Sequence, residues 1–112
     1  MGRYVIFAFK GEPMCFVHVL LNAMDLAAKG HEAKIVMEGE AVTLIKTLTE
    51  SGDPLFKKAR NQGLIDSVCK ACSNKLGVLS YNEASGIPLK GDMSGHPSFA
   101  AFLEAGYTLI TL

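Results

Sequence analysis

Arg3-Tyr4-Val5-Ile6-Phe7-Ala8-Phe9, closed by the turn Lys10-Gly11-Glu12-Pro13, is the stretch that decides the fold class. A nearly unbroken apolar and β-branched run is the pattern of a strand covered on both faces, as in a parallel sheet flanked by helices. From Met14 to Lys29 the residues Phe16, Leu20, Met24 and Ala27, with Val17, Leu21 and Ala28 beside them, follow a 3.6-residue period. His18, Asn22, Asp25 and Lys29 share the opposite stripe. This is an amphipathic helix, stopped at Gly30. Ala33-Lys34-Ile35-Val36-Met37 then reads as a second strand, and strand, helix, strand in this order and length make a right-handed βαβ unit.

The remaining chain continues the alternation. Glu38-Gly39-Glu40 reads as a solvated turn, and Ala41, Leu44, Ile45 and Leu48 are spaced for a second helix ending near Ser51-Gly52. Asp53 as N-cap and Pro54 at the first helical position start a short helix that turns Leu55, Phe56 and Ala59 to the core. Leu64 to Val68 forms the third strand, and Ser73 to Leu76 gives a helical turn or two, interrupted at Gly77. Gly86-Ile87-Pro88-Leu89 reads as a short extended piece and Gly91 to Pro97 as a loop. Pro97 begins the last helix, with Phe99, Phe102 and Leu103 on its inner face, and Tyr107 to Leu112 is the final strand. The expectation is one α/β domain over residues 1–112, a three-layer α/β/α sandwich with a mostly parallel sheet of four or five strands.

Composition narrows the function classes. The 11 basic and 11 acidic residues cancel and no stretch concentrates cations with aromatics, so the footprint of a nucleic-acid binder is missing. No apolar run approaches the length of a membrane span and no signal-peptide layout opens the chain, which points to a cytoplasmic protein with no membrane partner. In that compartment the three cysteines are expected to be reduced, as reactive or ligating groups. An apolar fraction of 49% with few aromatics hints at surface covered by another subunit.

The sharpest chemistry lies in Val68-Cys69-Lys70-Ala71-Cys72-Ser73-Asn74, two thiols three residues apart between a strand and a helix. Amide N–H groups and the positive end of a helix dipole favour thiolate there, and Lys70 or Lys75 could add to the effect. Cys72 is the better placed nucleophile, with Cys69 as the resolving or second accepting thiol. Ligands collect at the carboxyl ends of parallel strands. Lys10 to Cys15 follows the first strand, Glu38 to Glu40 the second and Cys69 to Asn74 the third, so all three cysteines fall on one edge. Lys10, Cys15 and Asn74 are therefore candidate binding residues. His18 reads as a surface histidine and His31 carries no signal. His96, directly before Pro97, is either an N-cap or a fourth site residue. Cys15, Cys69, Cys72 and His96 would suffice for a tetrahedral metal site, although a domain with this much core needs no structural metal.

Over nearly its whole length the chain resembles the DsrE/DsrF-like family of small sulfur-relay proteins, also called YchN-like. The distinctive part is the strand led by Gly63 into Cys69-Lys70-Ala71-Cys72-Ser73-Asn74-Lys75-Leu76-Gly77-Val78, with the first two strands and the closing Ala105-Gly106-Tyr107-Thr108-Leu109-Ile110-Thr111-Leu112. The resemblance implies a cytoplasmic carrier of sulfane sulfur as a cysteine persulfide, without cofactor, assembled as a homotrimer or homohexamer and exchanging sulfur with donor and acceptor proteins. Counting from Gly63 aligns Cys69 with the family cysteine; matching Ala-Cys-Ser-Asn aligns Cys72. The CxxC pair leaves two other readings open, a dithiol oxidoreductase and a metal-binding or ligand-binding oligomer.

Overall fold

Four consecutive βα units and a closing strand build the sheet. The computed structural model describes residues 1–112, ordered as β1 (Arg3–Ala8), α1 (Pro13–Ala28), β2 (Glu32–Met37), a 3₁₀ turn (Gly39–Thr43), α2 (Leu44–Glu50), α3 (Pro54–Asn61), β3 (Ile65–Cys69), α4 (Lys70–Lys75), α5 (Leu79–Ala84), β4 (Leu89–Lys90), α6 (Phe99–Glu104) and β5 (Thr108–Thr111). All neighbouring strands pair in parallel, in the order β4-β3-β2-β1-β5. The chain steps from β1 to β4 in one direction and then crosses back beyond β1. Right-handed crossovers therefore put the helices α1 to α5 on one face and α6 alone on the other. The result is an α/β/α sandwich with one thick and one thin helical layer.

Burial follows that asymmetry. Ile6, Ala8, Ile35 and Met37 meet Phe16, Leu20, Ala23, Leu44, Ile45 and Phe56 in the larger core. The thin side holds Val5, Phe7, Val36, Phe102 and Tyr107, with Phe7 edge-on to Phe102 at 5.6 Å between ring centroids. Asp53 caps α3 as expected, its carboxylate accepting the Phe56 amide at 2.9 Å. No helix is long and apolar enough to cross a membrane.

Several expectations shift. In α1 the residues buried most deeply are Phe16, Val19, Leu20 and Ala23, and Leu21 is exposed, because the contact stripe runs through positions 16, 19, 20 and 23 and leaves Leu21 beside it. The segment after Glu38 starts as a 3₁₀ turn before α2. The last helix starts at Phe99, not Pro97: Ser98 is its N-cap, the hydroxyl accepting the Ala101 amide at 3.4 Å. A six-residue helix presents one narrow face, so Phe102 is buried, Phe99 is half-exposed and Leu103 is exposed. Helix α5 escapes the sequence pattern because its buried residue is a polar one, Asn82.

Candidate functional site

The site grows from the end of β3. Cys69 is both the last residue of that strand and the N-cap of α4, and its Sγ accepts the Cys72 amide at 3.4 Å. The CxxC spacing thus places the second thiol at the third helical position, on the turn directly above the first. Behind them, Ser73 Oγ donates to the Cys69 carbonyl at 2.7 Å, and Asn82 Nδ2 donates to Ser73 Oγ at 2.9 Å and to the Val42 carbonyl at 3.1 Å. This buried chain of polar groups ties α4, α5 and the 3₁₀ turn to the strand end.

His96 arrives on the loop between β4 and α6. Met93 and His96 exchange two backbone hydrogen bonds of 2.8 and 2.9 Å, and Ser94 and Gly95 turn the chain between them with φ of 50° and 91°. The Ala71 amide donates to the Gly95 carbonyl at 2.8 Å, pressing the loop onto α4 so closely that a Cβ on Gly95 would sit 2.9 Å from that of Ala71. The imidazole Nδ1 consequently lies 3.1 Å from Cys69 Sγ, 3.7 Å from Cys72 Sγ and 3.7 Å from Glu38 Oε1. His96 therefore joins the two thiols, and the N-cap of α6 is Ser98. Glu38, which reads as solvated turn from sequence, is only 7% exposed. It directly follows β2, the strand next to β3 in the sheet, and its amide donates to the Ala8 carbonyl at 2.8 Å. Potential ligand atoms of Glu38, Cys69, Cys72 and His96 all lie within 4.8 Å of one another.

Electrostatically the cluster is acid-rich. Burial pushes the Glu38 carboxyl above its ordinary value, with His96 and Cys69 acting in the opposite direction. The Cys69 thiol is pushed up to about 12, first by burial and further by the Cys72 thiol and the Glu38 charge, against the pull of the Cys72 amide. The expectation of a helix-stabilised thiolate thus fails at Cys69. One amide bond does not offset loss of water around the sulfur and an adjacent carboxylate. Lys70 and Lys75 are exposed and make no ion pair. Cys72 is half-buried and is the accessible member of the pair.

The other candidates fall elsewhere. Cys15, Lys10 and His18 line a separate groove with Ala8, Phe16, Val19 and Leu112. They follow β1, which β2 separates from β3, so Cys15 is not part of the cluster and Glu38 stands where the fourth ligand was expected. Asn74 is exposed on α4, outside the cluster. A sequence signal for Glu38 existed: it directly extends the buried run Ile35-Val36-Met37, on the same strand parity as Val36.

Comparison with known proteins places the whole chain. The uncharacterized protein MJ0733 from Methanocaldococcus jannaschii is 36% identical over 116 residues, spanning 97% of this chain and 93% of MJ0733. The chain belongs to the MJ0733 family. An uncharacterized protein of Archaeoglobus fulgidus is 36% identical over 42 residues, 38% of this chain and 69% of that protein. Among solved structures, the conserved protein of unknown function BT1422 from Bacteroides thetaiotaomicron superposes with a TM-score of 0.66 at 16% identity, covering 97% of this chain and 94% of that one. That likeness extends the MJ0733-family fold to a distant sequence. No family model matches the chain.

Proposed function

We propose that the protein is a sulfur carrier that holds sulfane sulfur as a persulfide on Cys72 and hands it to a partner protein. The observation that carries this reading is the inequality of the two thiols: Cys72 is half-buried, with some access to solvent beside the His96 imidazole, and Cys69 is fully buried beneath it. The resemblance of the cysteine segment to the DsrE/DsrF-like family supports sulfur transfer on this pair, and one of its two alignments falls on Cys72. In the first step His96 takes the Cys72 proton. The thiolate attacks the outer sulfur of a donor persulfide, the donor S–S bond breaks, and its electron pair leaves on the donor thiolate, which recovers the proton from His96. A second attack by an acceptor thiolate on the outer sulfur reverses these roles and frees Cys72. Small proteins that exchange sulfur through one exposed thiol need docking partners. The reading therefore carries with it donor and acceptor proteins, a cytoplasmic setting where thiols stay reduced, and a homotrimeric or homohexameric assembly.

Intact-mass spectrometry of metal-free protein after exposure to a persulfide donor tests it. The expected result is a gain of one sulfur atom, retained in Cys69→Ser and lost in Cys72→Ser. No adduct on the unaltered chain, or an adduct indifferent to Cys72→Ser, overturns the assignment. Conversion of the adduct to a Cys69–Cys72 disulfide with release of hydrogen sulfide would identify the dithiol oxidoreductase reading instead.

A further inference from the structure

We propose that Glu38, Cys69, Cys72 and His96 form a mononuclear site for a divalent thiophilic metal ion, zinc foremost. Three separate chain segments, the end of β2, the β3–α4 junction and the loop before α6, converge to make this donor set. Convergence of that kind is not a by-product of one motif.

Distances favour a single ion. Four ligands around tetrahedral zinc, with bonds of about 2.0–2.3 Å, stand about 3.3–3.8 Å apart. The contacts of His96 Nδ1 with Cys69 Sγ, Cys72 Sγ and Glu38 Oε1, at 3.1, 3.7 and 3.7 Å, fall close to that interval. All four donor atoms lie within 4.8 Å of one another, so side-chain movement of up to about 1 Å closes the set around one ion.

Charge favours a cation independently. A carboxylate at 7% exposure would ordinarily be paired with arginine or lysine, yet the charged partner within 4.0 Å of Glu38 is His96 alone. Burying an ionised acid beside two thiols with no fixed cation is costly, and where the acid does not keep its proton the loss of water is compensated by an opposite charge or by coordination. A divalent ion supplies that charge, and on binding the two thiol protons pass to buffer as two metal–sulfur bonds form. Two sulfurs, an imidazole nitrogen and one carboxylate oxygen make a set that suits zinc, whose affinity spans all three donor types. The His96 side chain is 40% exposed and Cys72 is half-buried, so the ion has a way in from solvent. The site does not rest on sulfur transfer. It uses the same Cys72 thiol, so metal-loaded and persulfide-loaded proteins are alternative states.

Cobalt(II) is the probe, added to the full, reduced, metal-free chain and followed by absorption. The expected spectrum shows thiolate-to-cobalt charge transfer with visible bands of tetrahedral intensity, saturating at one ion per chain and abolished by one equivalent of zinc. Glu38→Gln and His96→Gln should each weaken cobalt binding at least tenfold, and Cys72→Ser should remove much of the charge-transfer intensity. Absence of a thiolate–cobalt band in the unaltered chain overturns the proposal without any variant being needed. So does a band that Glu38→Gln and His96→Gln leave unchanged, which would mean that the CxxC thiols alone scavenge metal. The persulfide assay on metal-free protein has its own readout, so failure of either idea leaves the other standing.

Discussion

Glu38 shows how much a single side chain carries here. Its carboxyl is held above the ordinary 4.5 chiefly by burial, so the folded state retains a proton that the unfolded chain has released. For an acid shifted in that direction the associated stability is complete below the ordinary value and is lost as pH rises through the folded one. Metal-free protein should therefore lose stability as pH climbs above 4.5 through the raised Glu38 value, and Glu38→Gln should flatten this part of the profile. Urea midpoints taken at mildly acidic and at neutral pH check it; a parallel loss of stability in wild type and variant would contradict the assignment. The cysteines were legible as chemistry because their spacing is a motif. Glu38 was harder to read, since an acid beside Gly39 and Glu40 looks like solvated turn, and its one signal, the extension of the buried run Ile35-Val36-Met37, gains weight only once the neighbouring strand is known.

Among the elements, the loop from Gly91 to Pro97 decides whether a site exists at all. Its own two-bond closure between Met93 and His96, and the Ala71 to Gly95 hydrogen bond, are local and strong, yet nothing in the sequence ties the loop to α4 in advance. Gly95 is the hinge of that contact, with φ of 91° and Ala71 against the place a Cβ would occupy. Gly95→Ala should cost about 1–3 kcal/mol in backbone strain and contact and should move the imidazole away from both sulfurs. A thermal melt reads the first effect and the imidazole NMR shift of His96 reads the second; a stable variant with an unmoved ring would show that the loop is held by other means. Strands β1 to β3 and the helices α1 and α2 were readable from apolar runs and periods, and α3 from its Asp53-Pro54 start. Helix α5 was not, because its inward residue Asn82 serves a hydrogen-bond chain and breaks the apolar pattern.

At the scale of the molecule, strand order explains which candidates share a site. The sheet edge was identified correctly from the alternation of strands and helices, but an edge five strands wide separates its own loops. Adjacency of β2 and β3 brings Glu38 to Cys69, and the strand between β1 and β3 sends Cys15 with Lys10 to a groove of their own. Linear spacing cannot state that order, since the crossover from β4 back past β1 to β5 leaves no mark in composition. The account as a whole stands on one arrangement, an accessible Cys72 over a hidden Cys69. With the Cys69 thiol pushed up to about 12, very little of it is thiolate at pH 8. Alkylation of native metal-free protein at that pH, read by peptide mapping over time, addresses this directly. The structure predicts that Cys72 is modified well ahead of Cys69, which reacts only once the chain is unfolded. Modification of Cys69 as fast as Cys72, or an inert Cys72, would contradict it.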